Sequence, residues 1–294
     1  MTYILKNKNL ELHIDDPLKH YDFPRFDWTG KLTLLKYKGV LVSGNEKIKA
    51  NEIEQFGRGF YNEFGINTPI GFDEIAIDDW FHKIGVGLLR KDKPHYFFLN
   101  NYDTDPAIFN VKAKDNSIVM SCKGQFKNGY AYLLEKKINL LENGFIVHYT
   151  LKNSGDKPIV TKEYNHNFLA INNNLIGKDY RLSFDFEINP STFNDLVNPN
   201  NVMTLNGQHI MFKHKPESDF FISNISGGKL VKAKWCLEDT KNKIGITEEA
   251  NFKTNSINLW GCGHVISPEL FIDINIAPST SKSWTRQYSI YQLD

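Results

Sequence analysis

Two side chains in this 294-residue sequence combine acid–base chemistry with a strand-like setting. One is His166, in Glu163-Tyr164-Asn165-His166-Asn167-Phe168-Leu169. The other is Glu269, in His264-Val265-Ile266-Ser267-Pro268-Glu269-Leu270-Phe271. An imidazole titrates near neutrality, so it gives or takes a proton without a large shift. A carboxylate in an apolar strand is costly to bury unless it is paired or used. Loss of water there raises its pKa toward a range useful to a general base. Each residue also has a plainer role: a core histidine with satisfied nitrogens, or a strand-edge glutamate reaching solvent beside Pro268.

Two further stretches bring polar and aromatic residues together. In Phe56-Gly57-Arg58-Gly59-Phe60-Tyr61, glycines flank an arginine whose guanidinium can present several fixed donors to a polyhydroxylated ligand. In Trp80-Phe81-His82-Lys83, a second histidine precedes a small-residue segment. Tyr61, Tyr164 and Trp235 offer aromatic faces to the apolar side of such a ligand, and Asn165 adds an amide beside His166. The alternatives are a turn with a salt bridge for Arg58 and a tight strand crossing for His82. No HExxH or paired-carboxylate ligand set, GxSxG elbow or P-loop occurs. Metal ligation, hydride transfer, nucleotide phosphoryl transfer and serine hydrolysis therefore lose support, and no cofactor is expected.

The elements that must position these residues follow a period of two. Leu32–Tyr37 and Val40–Val42 flank Lys38-Gly39, and two β-rich runs flank Glu142-Asn143-Gly144, a hairpin signal. Tyr180–Ile188 alternates, with Leu182, Phe184 and Phe186 on one face. Asp78–Leu89 is apolar enough for a short helix, but Gly85 and Gly87 argue against one. Many short strands and no linker predict one all-β domain spanning 1–294, a large antiparallel sandwich or barrel with few or no helices. Thirty-five Lys and Arg against thirty-four Asp and Glu give a net charge of +1, which offers nothing to nucleic acid. Three widely spaced cysteines form no disulfide or zinc framework. With no leader-like or membrane-spanning apolar run, a soluble cytoplasmic protein without a membrane partner is the default expectation.

Taken together, these segments resemble the galactose mutarotase (aldose 1-epimerase) superfamily. Tyr164-Asn165-His166-Asn167-Phe168 resembles the segment that carries the family's general acid. Ser267-Pro268-Glu269, followed by Ile276-Ala277-Pro278 and Trp284–Tyr288, is similar to the end of such proteins, where a strand glutamate is the general base. Arg58 lies where a substrate-binding arginine is found, and His82 near where a second sugar-binding histidine would be. The His-Gly-Gly signature is absent, and the family's additional aspartate has no clear counterpart, Asp239 being the one candidate. The resemblance implies a β-supersandwich of a divergent branch, with a monosaccharide or sugar derivative as ligand, as monomer or homodimer. It implies anomer interconversion with Glu269 as base and His166 as acid. Two other readings stay open: a non-catalytic sugar-binding or sensing protein, and a hexose 6-phosphate epimerase using Arg90, Lys91 or Lys93.

Overall fold

The computed structural model describes residues 1–49, 52–53 and 55–294. Among these residues regular structure is nearly all antiparallel strand, and helix is confined to four single 3-10 turns. No helix among them is long and apolar enough to cross a membrane. Two ten-stranded sheets carry the architecture. The first runs Thr2–Lys6, Leu10–Asp15, Lys31–Tyr37, Phe60–Phe64, Ile159–Asn167, Val265–Ile276, Ile257–Cys262, Phe220–Ile222, Leu196–Val197, with Val40–Leu41 on the side. The second has Val231–Asp239, Ile244–Thr254, Ser281–Gln292, Gly144–Asn153 and Tyr132–Leu141 at its centre. A three-stranded sheet, Trp80–Lys83, Gly87–Arg90 and Thr104–Pro106, stands apart.

The strands form where alternation predicts them. In Tyr132–Leu141, Tyr132, Leu134 and Ile138 are buried while Leu133, Glu135 and Lys137 are exposed. Lys38 and Gly39 both take positive φ (48° and 84°) between the paired residues Tyr37 and Val40, so the right-handed strand twist continues through a two-residue turn. The hairpin at Glu142-Asn143 also forms, with Leu141 opposite Gly144, although none of residues 142–144 takes a positive φ. Gly144 is required because a Cβ there would run into the Tyr288 carbonyl. The strand expected over Tyr180–Ile188 ends at Ser183. Beyond it Phe184 and Ile188 hold only single backbone bonds, to Gln208 and Gly207, although both stay buried. Asp78–Leu89 is a hairpin, with Gly85 at φ 82° against Asp27.

Between the sheets the core is mostly aliphatic and aromatic, but an ionic chain runs through it. Arg286 donates to Glu163 Oε2 at 2.7 Å and to Glu248 Oε1 at 2.6 Å, and all three side chains are wholly buried. Glu248 Oε2 also accepts from Trp235 Nε1 at 2.8 Å and from Asn167 Nδ2 at 2.9 Å. Lys136 donates to Asn62 Oδ1 at 2.6 Å and pairs with Asp27. Buried charges of this kind are tolerated only as complete sets, and removing one member strands the rest. Arg286→Met is therefore expected to lower unfolding free energy by about 3–5 kcal/mol. Urea denaturation measures this, and a loss below about 1 kcal/mol would show that the chain of charges does not hold the sheets together.

Candidate functional site

The strand Ile159–Asn167 lies between Phe60–Phe64 and Val265–Ile276. Its odd-numbered residues Glu163, Asn165 and Asn167 face the ionic chain. Its even-numbered residues Tyr164 and His166 face the opposite way, onto a cleft of about 980 Å3. The ladder to Val265–Ile276 ends at Tyr164–Phe271, whose rings stack at 4.6 Å. Continued two residues further, that register sets His166 across from Glu269. Pro268 has no N–H to continue the ladder, and its carbonyl instead accepts from Asn167 Nδ2 at 2.7 Å.

His166 Nε2 lies 3.4 Å from Glu269 Oε1, longer than an ordinary hydrogen bond. Both side chains are about 95% buried, with 5% and 6% exposed. The imidazole stacks on Phe168 at 4.0 Å and meets the edges of Phe26 and Trp260. Its Nδ1 has no hydrogen-bond partner. Burial pushes the Glu269 carboxyl up to about 8; the neighbouring Arg25 opposes this, Glu63 adds to it, and the Ser267 hydroxyl opposes it weakly. Burial, reinforced by Arg25, pushes His166 well below its ordinary value. Near neutrality the pair therefore carries one exchangeable proton, held on the carboxyl rather than on the imidazole.

Arg25 is the guanidinium of this cleft. It lies over Phe26 and Phe98 at 4.4 and 4.7 Å, and its Nε donates to Glu63 Oε2 at 3.1 Å. Glu63 also accepts from Tyr164 at 2.7 Å and from Lys83 at 3.1 Å, so one buried carboxylate ties Arg25 and Tyr164 into place. Amides and hydroxyls (Asn67, Asn224, Asn255, Asn258, Ser223) and aromatics (Trp260, Phe56, Phe221) complete the lining. Cations Arg25, Lys47 and Lys162 stand against Glu46, Asp195 and Asp219, so the lining has no strong excess of either charge.

Of the residues expected at the site, His166, Glu269 and Tyr164 line this cleft. Arg58 does not: it pairs with Asp15 at 2.7 Å in a separate hollow beside Leu10–Asp15. Its flanking glycines are set by packing, since a Cβ on Gly57 would strike Phe168 and one on Gly59 would strike the Leu32 carbonyl. Tyr61 is wholly buried behind the cleft wall, edge-on to Tyr21 and Phe26. Asn165 faces inward and donates to Tyr288 Oη at 2.7 Å. Trp235 is sealed between the sheets on Glu248. His82 is buried between Tyr130 and Tyr132 and donates from Nε2 to the Lys127 carbonyl at 3.3 Å; burial takes its pKa down to about 4. Asp239 caps a turn through Lys241 N and Asn242. Arg90 is held by Asp78 and Asp103, Lys91 by the Phe72 and Ile75 carbonyls, and neither they nor Lys93 line the cleft. Arg25, Trp260 and Glu63 were the residues missed. Arg25 carries the signal used for Arg58, an arginine among aromatics in Phe23-Pro24-Arg25-Phe26.

The fold is that of galactose mutarotase-like proteins. A galactose mutarotase related enzyme from Lactobacillus acidophilus superposes with TM-score 0.63 at 13% identity, over 100% of this chain and 99% of that one. A galactose mutarotase-like protein from Lactobacillus casei gives 0.61 at 13%, over 99% and 100%. An aldose epimerase homologue from C. elegans gives 0.55 at 11%, over 100% of both chains. No family model and no curated protein matches the sequence. At these identities the likeness is one of fold.

The raised pKa of Glu269 has a stability consequence. Its folded-state value lies above the unfolded one, so its contribution is present below the ordinary carboxylate pKa and is lost as pH rises through about 8. Glu269→Gln, which cannot ionise, is expected to be more stable than wild type at pH 9 by at least about 1 kcal/mol, with a smaller gap at pH 5. Thermal unfolding at the two pH values checks this; a gap that does not widen with pH means the carboxyl is not destabilised by burial.

Proposed function

We propose that the protein is a carbohydrate-binding aldose 1-epimerase that interconverts sugar anomers by acid–base ring opening. The observation that carries the reading is the buried carboxyl and imidazole side by side on the floor of a cleft lined by amides and aromatics. Glu269 takes the proton of the C1 hydroxyl, and His166 gives a proton to the ring oxygen. The C1–O bond to the ring oxygen breaks and the aldehyde forms. Rotation about C1–C2 and the reverse transfers close the ring on the other face. The working pair is carboxylate with imidazolium, reached from the neutral resting pair when the carboxyl proton crosses the 3.4 Å to His166, and ring opening returns both groups to the neutral form. Burial favours the neutral form, so it opposes that proton shift and favours the ring opening that follows it. Arg25, braced by Glu63, faces the sugar's hydroxyls, and Trp260 offers its ring to the apolar face. The balanced charge of the lining suits a neutral sugar better than a phosphorylated one.

His166→Ala and Glu269→Gln are each expected to lower kcat by about 100–10,000-fold, followed by polarimetry on freshly dissolved α-anomers. Saturable sugar binding with no rate enhancement in wild type would make the protein a binding module instead. The pair must hold one proton to work, so kcat/KM is expected to fall as pH rises through about 8, where that proton is lost. A rate that climbs through the same range would mean that Glu269 acts alone as a base, and would sink the shared-proton account.

A further inference from the structure

The cleft is longer than the acid–base pair requires. Its floor is formed by four neighbouring strands, Ile159–Asn167, Val265–Ile276, Ile257–Cys262 and Phe220–Ile222, with Asn194 and Asp195 beyond the last of them. Three inter-strand spacings make about 14 Å, more than the width of one pyranose ring. His166 and Glu269 occupy only the first two strands. The cleft volume of about 980 Å3 is at the upper end for a small-molecule site.

The far part of the floor is built, not bare. Trp260 meets His166 edge-on at 5.3 Å, and its register partner on the next strand is Phe221. Phe221 is half-buried and lines the cleft. Around it stand Asp195, Ser223 and Asn224, held in a local network. Ser223 donates to Asp195 Oδ2 at 2.7 Å, and the Asn224 backbone N–H donates to Asn258 Oδ1 at 3.1 Å. A ring face edged by a carboxylate, a hydroxyl and an amide matches a pyranose, which presents C–H bonds on one face and hydroxyls around its rim.

We propose that Phe221, with Asp195, Ser223 and Asn224, is a second sugar subsite, and that the substrates are reducing di- or oligosaccharides. The reducing-end sugar lies over His166 and Glu269, and the next residue of the glycan lies on Phe221. This deepens the epimerase reading and rests on it for the first subsite only.

Two measurements separate the subsite from the chemistry. Polarimetry compares glucose and galactose with maltose, cellobiose and lactose. Calorimetry compares the methyl glycosides of the same sugars, which bind but cannot mutarotate. Disaccharides are expected to exceed monosaccharides by about 10-fold in both kcat/KM and affinity, the size of one good ring contact with its hydrogen bonds. That ratio is expected to fall toward unity in Phe221→Ala and Asp195→Asn, and to persist in Phe221→Tyr. If no sugar is turned over but the affinity ratio holds and collapses in the variants, the epimerase reading fails and the subsite stands. Monosaccharides bound as tightly as disaccharides, an unchanged ratio in Phe221→Ala, or no binding of any sugar would each overturn the subsite.

Discussion

The ion triplet formed by Arg286 with Glu163 and Glu248 is the constraint on which the site depends. It joins Ile159–Asn167 of one sheet to Ile244–Thr254 and Ser281–Gln292 of the other. Side chains on a strand alternate between faces, so holding Glu163 inward holds Tyr164 and His166 outward. Asn167 repeats the lock through Glu248 and the Pro268 carbonyl. A slip of one residue would point His166 into the core and strand Glu163 in the cleft. The charges inside thus specify which face of the strand carries the chemistry.

Burial acts on both faces of this strand, with opposite results. Inside, each ion has a partner of opposite sign at hydrogen-bond distance, so Arg286 holds its proton and remains charged. Outside, His166 and Glu269 stand 3.4 Å apart with only the Ser267 hydroxyl, also at 3.4 Å, donating to the carboxyl, and burial favours the neutral form of both. Arg25 works against this at Glu269 without reversing it, because its close partner is Glu63. A carboxyl kept short of counter-charge is a carboxyl ready to exchange protons, and the cost is stability at high pH.

The candidate pair was legible because its signals are local. A histidine flanked by amides and a glutamate after Ser-Pro are unusual in apolar strands, whatever lies across from them. The hairpins at Lys38-Gly39 and Glu142-Asn143 are local in the same way. Arg58, Tyr61, Asn165, Trp235 and His82 were assigned by residue type, and type does not say which face a side chain takes. Asn165 is one residue from His166 and points the other way. Trp235 and Trp260 are both strand tryptophans, yet one seals the core on Glu248 and the other walls the cleft.

The sequence by itself determined the strand class, the main turns and the two acid–base side chains, because period-two alternation and turn chemistry act over a few residues. Their meeting was decided by tertiary structure: His166 and Glu269 are 103 positions apart in the chain and come within 3.4 Å through strand register. The choice of Arg25 over Arg58 was decided there too. A guanidinium goes to the carboxylate it can reach, and Asp15 captures one while Glu63 holds the other at the cleft. Pairing across sheets depends on contacts between distant segments, and no local pattern of residues encodes which of two similar cations will face the site.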